Sequence, residues 1–191
     1  RILRQPLVWL FGLLLFFESG NENSMFVWAG KVMEDALHLA AHRAGLALLA
    51  LSVALGAGRR VAALLLRWTG SRNMLLLAAS ITIGGAALVL SDRTFGGMLA
   101  GFAVIGLGLS SVYPTALGLA GDCFPAQTGT VFGSVMTVAL IGGVAGPLAG
   151  GWASASNPLA VLAVPLAGAV AVFVLTLVIW RRSVHAIARS R

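Results

Sequence analysis

Three polar residues in an apolar setting carry the sharpest chemical signal in this sequence. Glu18, Asn21 and Glu22 lie within the apolar stretch of residues 6–30, about halfway along it. On a helix, spacings of three and four residues place all three on one face, which Met25 extends. A carboxylate surrounded by lipid costs at least about 2.5 kcal/mol. Two of them therefore need a water-filled cavity or a partner helix, and such a face is suited to binding a polar solute or relaying a proton near the middle of a membrane. The competing reading ends the first helix near Phe17 and makes the acidic stretch an external loop. That leaves too short a span, and residues 25–30 turn apolar again.

Hydroxyl groups form a second tier of candidates. Thr130, Ser134 and Thr137 share a helical face, and Ser110, Ser111, Tyr113 and Thr115 cluster in another segment. Tyr113 is the one among these expected to line a solute cavity. The single hydroxyls more often bond a neighbouring helix or their own backbone.

Other chemistries find no support. His38 and His42 share a helix face, but no Glu or Cys joins them at metal-ligand spacing, so a pair of interfacial histidines is the better reading. No nucleophile, base and orienting group occur together, and no Walker-type or other Gly-rich phosphate loop follows a strand, so no cofactor and no ATP-driven step are expected. The single Cys123 rules out an internal disulfide. A net charge of +7 could suggest nucleic acid. The arginines, however, sit at the ends of apolar runs and build no basic face interleaved with aromatics.

The elements that must position these residues are set by composition. Apolar residues make up 59% of the 191 and charged residues 10%, whereas soluble domains carry about 25% charged residues. Lipid is the alternative solvent for so much apolar surface. A bilayer core of about 30 Å needs about 20 apolar residues in a helix. Six spans meet that need, at residues 6–30, 38–66, 73–91, 94–121, 128–153 and 158–181, separated by short polar breaks. Lipid offers backbone groups no partner, so the spans are helices. The alternation of a β-barrel is absent. A secretory signal peptide at the start, with Arg1 and Arg4 as its charged region, lacks a small-residue cleavage site.

Charge orients the spans. Arg1, Arg4, Arg67, Arg72, Arg181, Arg182, Arg189 and Arg191 collect on one side, and Arg59 and Arg60 lean the same way. Lys31, Arg43 and Arg93 on the other side are offset by Glu34, Asp35 and Asp92. The positive-inside rule then puts both termini in the cytoplasm of a multi-pass protein of the cell membrane. Arg43, Arg59 and Arg60 are expected to snorkel to an interface, and the tryptophans to act as interfacial anchors. Gly142, Gly146 and Gly150 line one face and permit close approach of a neighbouring backbone. Pro114 and Pro147 sit inside spans and are expected to kink them.

Three segments resemble the major facilitator superfamily, in its C-terminal six-helix half. Gly58-Arg59-Arg60 followed by residues 66–72, Leu-Arg-Trp-Thr-Gly-Ser-Arg, is similar to the family's basic cytoplasmic loop, with Arg67, Gly70 and Arg72 as its marks. Arg67 stands about where that loop often carries an acid. Residues 106–116, a Gly-rich run leading into Tyr113-Pro114-Thr115, are similar to the tenth helix of the fucose-permease-like sugar subgroup. Thr128-Gly129-Thr130-Val131-Phe132-Gly133 with Gly142-Gly143 and Gly146-Pro147 resembles the eleventh helix. The stretch from Glu18 to Glu22 resembles the polar seventh helix of the sugar subgroup. The resemblance implies a twelve-helix transporter whose halves rock around a central site.

The chain begins with Arg1 and reads as part of a longer one. Its expected partners are a small-molecule solute, the lipid bilayer, and either a missing N-terminal six-helix half or a second copy of this half. The leading expectation is secondary active transport of a small polar solute, a sugar in the first instance, by proton-coupled symport. Export of drugs or hydrophobic metabolites is the runner-up. A lipid-modifying enzyme using His38 and His42, and a non-transporting scaffold, are the readings from other classes.

Overall fold

The computed structural model describes residues 4–155 and 157–189, with side chains as far as residue 182. Of the arginines used above for orientation, Arg1, Arg191 and the side chain of Arg189 lie outside the described residues. Helices account for all the regular structure among those described, and no strand forms there. Four helical stretches are long and apolar enough by composition to cross a membrane: Ala41–Ser91, Phe95–Cys123, Pro125–Ser154 and Pro158–Arg182.

Helix α1 (Pro6–Leu37) is also long enough, at 32 residues, or about 48 Å. Its polar centre is what keeps it out of that apolar set. Pro6 opens it, where a missing N–H is no loss, and His38 ends it in the left-handed conformation. The helix passes unbroken through Glu18, Asn21 and Glu22, so the acidic stretch is not a loop. It also continues beyond the expected limit at residue 30. Lys31 and Asp35, counted as part of a polar break, form an i,i+4 ion pair at 2.7 Å that carries the helix onward.

After a four-residue helix α2 (Ala41–Ala44), helix α3 runs over Leu46–Ser91. The expected polar break at residues 67–72 is helical except at Gly70, whose φ of 75° and ψ of 159° are non-helical. The chain turns back there. Ala62 and Ala78 line one cavity of about 160 Å³, whereas a straight helix would hold residues sixteen apart about 24 Å from each other. Gly70 occupies a backbone region essentially reserved for glycine, and a side chain there is strained by about 1–3 kcal/mol. Gly70→Ala is therefore expected to lower the melting temperature of the full-length protein in detergent. Gly56→Ala, in open space within the same helix, is expected to leave it unchanged or raise it.

The span expected at 94–121 is two helices, α4 (Phe95–Leu109) and α5 (Val112–Cys123), with a turn at Ser110 and Ser111. Pro114 explains the position of that turn. Its ring crowds the carbonyl four residues back, at Ser110, and it donates no N–H. Helix α6 (Thr128–Ser154), by contrast, runs through Pro147 without a break. A 3₁₀ turn at Pro158–Leu162, capped by Asn157, leads into α7 (Ala163–Arg189).

Helix α1 packs most extensively on α6 and then on α7, and α3 packs chiefly on α4. Two apolar cores result. One gathers Phe11, Leu14 and Leu15 of α1 with Leu75, Val112 and Val135. The other gathers Met25, Val32 and Met33 of α1 with Leu51, Phe102 and Leu162. The polar segment of α1 lies between them. Outward-facing large apolar residues such as Leu64, Leu140, Val144 and Leu148 suit acyl chains.

Candidate functional site

The chain between the two cores brings the acids of α1 to helices α3 and α5. Glu18 is only 1% exposed, and its Oε1 has no hydrogen-bond partner among the described residues. One turn on, the Glu22 carboxylate lies 3.6 Å from the Arg59 guanidinium of α3, with 18% of the Glu22 side chain and 53% of the Arg59 side chain exposed. Tyr113, half-buried on α5, lies beside Ser19 and near Glu22 and Glu18. Asn23 donates to the Ser19 carbonyl at 2.9 Å and to its Oγ at 3.5 Å. Gly143 of α6 lies against that Ser19–Asn23 pair. Together these groups make a half-open polar patch at mid-helix, with donors and acceptors interleaved.

Asn21 does not join this cluster. With its amide nitrogen toward α7, it donates to the carbonyls of Val164 at 3.1 Å and Phe17 at 3.3 Å, and it presses on Gly168. A step of 100° per residue turns it well away from Glu22. It ties α1 to α7 and borders a cavity of about 480 Å³ between α1, α6 and α7, lined by small residues such as Gly20, Ala145, Gly146 and Gly168.

Arg59 is the residue that sequence reasoning misplaced. It was expected to snorkel to an interface, yet it pairs with Glu22. Depth was the available signal: Arg59 comes thirteen residues after Leu46, about 20 Å into the helix and far from that end. The packing of Gly58 on Ser110 fixes the rotation of α3 that aims its neighbour inward. Ser19 and Asn23 carry little signal of their own in the sequence, being small polar residues beside acids. Arg43 falls in the short α2 and is exposed, as is Arg60.

Trp28 also departs from expectation. Rather than anchoring an interface, its indole N–H donates to the Pro147 carbonyl at 2.9 Å, and its ring lies on Gly150 and Gly151. Gly142 sits against the Phe16 carbonyl and Gly146 against the backbone of Gly20. Most other hydroxyls bond their own helix: Ser110 to Leu107, Ser134 to Thr130 and Thr137 to Gly133. In the basic segment Arg67 is exposed, while the Arg72 guanidinium lies 5.7 Å from the centre of the Trp180 ring. No three His, Cys, Asp or Glu side chains converge as metal ligands among the described residues.

The family model of the Major Facilitator Superfamily matches residues 5–191. The chain belongs to the major facilitator superfamily. It is thus a multi-pass membrane protein of a transporter family. No curated protein matches it. For a major facilitator superfamily protein, a polar patch at mid-helix beside a glycine-lined helix contact is an arrangement that can both hold a solute and allow helices to shift around it.

Proposed function

We propose that this chain is the six-span half of a secondary active transporter that moves a small polar solute by alternating access. The reversal at Gly70 supports counting α3 as two spans, which brings the number to six. An even number returns the chain to its starting side, and the arginine-rich breaks on that side support its being the cytoplasmic face of the cell membrane. The other half of the bundle is an N-terminal six-helix unit or a second copy of this one, and the solute site forms where the two halves face each other.

The observation that carries this reading is the pairing of Glu22 with Arg59 at mid-helix, beside a buried Glu18 and a half-buried Tyr113. Neither acid has a reason to be there in a scaffold, since intramembrane charges are expensive. The patch offers hydroxyl, amide, carboxylate and guanidinium groups, which together suit a polyhydroxylated solute such as a sugar. Glu18 and Glu22 are the candidates for proton relay. The apolar cavity beside Asn21 favours the second reading, export of a lipophilic compound.

The test is uptake into proteoliposomes by the full-length protein, with a sugar panel and with or without an inward proton gradient. Uptake of one sugar that rises with the gradient is the expected result. Absence of sugar uptake by folded protein, with efflux of a lipophilic cation instead, would replace this reading by export.

A further inference from the structure

Where α3 turns back at Gly70, a cavity of about 160 Å³ is lined by Thr69, Gly70, Ser71, Arg72, Asn73 and Trp180. The Arg72 guanidinium is held in place by the Trp180 ring at 5.7 Å. Its Nε is buried and has no hydrogen-bond partner among the described residues. Among the described residues the ion pairs are Lys31–Asp35 and Glu22–Arg59, and neither serves Arg72. Arginine does not shed its proton in proteins, and a buried charged donor left without an acceptor is destabilising. The buried Nε–H is thus open to an anion that enters the cavity.

Its surroundings say which anion. The helix resumes after Gly70, and the first N–H groups of a helix lack intrahelical acceptors and carry its positive dipole end. Ser71 and Asn73 add side-chain donors. Arg67 precedes the turn, and Arg181 and Arg182 follow Trp180. No Asp or Glu occurs at residues 36–91 or 123–191, and Asp122, the acid that ends α5 on this side, forms no ion pair with Arg72 among the described residues. Arginine's fork matches a phosphate bidentately, and helix starts receive phosphate. Trp180 and the flanking arginines are residue types found at a membrane–water interface, where acidic headgroups lie.

We propose that the Arg72–Trp180 cavity binds a phosphate group, carried by an acidic phospholipid or free in solution. The inference is independent of the transport reading.

The test uses the full-length protein in nanodiscs of phosphatidylcholine with phosphatidylglycerol, and native mass spectrometry to count the lipids retained. A second arm titrates inorganic phosphate into detergent-solubilised protein and follows the melting temperature. Retention of phosphatidylglycerol over phosphatidylcholine is expected, falling about tenfold in Arg72→Gln. Arg93→Gln, in the connection just beyond the far end of α3, should leave it unchanged. A melting shift with inorganic phosphate that Arg72→Gln abolishes, at unaltered lipid retention, would assign the site to free phosphate. Should Arg72→Gln fail to fold, Arg72→Lys decides. It keeps the charge but has no Nε, so a matching loss supports the site, and wild-type behaviour in both arms would overturn it as mere charge attraction. Equal lipid retention and equal phosphate response in folded Arg72→Gln would overturn it too.

Discussion

Gly146→Leu is expected to remove nearly all folded protein from the membrane, and Gly146→Ala to lower its stability by about 1–3 kcal/mol. A Cβ on Gly146 would strike the backbone of Gly20, and one on Gly142 the Phe16 carbonyl. These neighbours are main chain and cannot swing aside as a flexible side chain would. Separating α1 from α6 to make room would forfeit the contacts around them, including the Trp28–Pro147 hydrogen bond. Packing is what joins helices in lipid, where no hydrophobic force acts between them. Gly133→Ala is the control, because a Cβ there meets open space. It should be neutral, or stabilise by the helix preference of alanine over glycine, about 1 kcal/mol. Membrane abundance and melting temperature in detergent read both variants. Equal behaviour of Gly146→Ala and Gly133→Ala would show that the α1–α6 contact is looser than described.

Glu22→Gln is expected to cut uptake by about tenfold or more while leaving melting temperature and membrane abundance nearly unchanged. The two readouts part because Arg59 is half exposed: an ion pair so open contributes no more than about 1 kcal/mol to folding. For a solute bound between the halves, the same pair sets the charge and donor pattern of the site. Arg59→Gln should impair uptake similarly, and the double variant should do little worse than either single one if the two act as a unit. Unchanged uptake kinetics in Glu22→Gln would remove that residue from the mechanism. A loss of protein in step with the loss of uptake would make the pair structural.

Much of this architecture was legible in the sequence because membranes impose simple rules. Apolar runs of about 20 residues mark helices that must satisfy their own backbone, and the helices α1, α4, α6 and α7 begin near the starts of expected spans. Boundaries were harder. Lys31 and Asp35 looked like a break and instead prolong α1, since a charged pair one turn apart supports a helix as well as ending an apolar run. Residues 67–72 looked like a loop, yet a turn needed only one residue, Gly70, with its freedom to adopt positive φ. The turn at Ser110 and Ser111 appears one helical turn ahead of Pro114, because proline disturbs the carbonyl behind it.

The polar centre of α1 was likewise visible, because two carboxylates in an apolar stretch have few permitted surroundings. Which side chains surround them was not. Periodicity groups Glu18, Asn21 and Glu22 on one broad face, but several helices pack around α1 and divide that face among them. Asn21 goes to α7, and Glu22 goes to Arg59 of α3. The sequence by itself determined that this is a multi-helix membrane protein with acids at mid-depth, since both follow from local composition and the solvent it demands. Only the tertiary structure decided that Arg59 turns inward and that Trp28 bonds Pro147. Both depend on how each helix is rotated about its axis, and that rotation is fixed by distant small residues, Gly58 against Ser110 and Gly20 against Gly146.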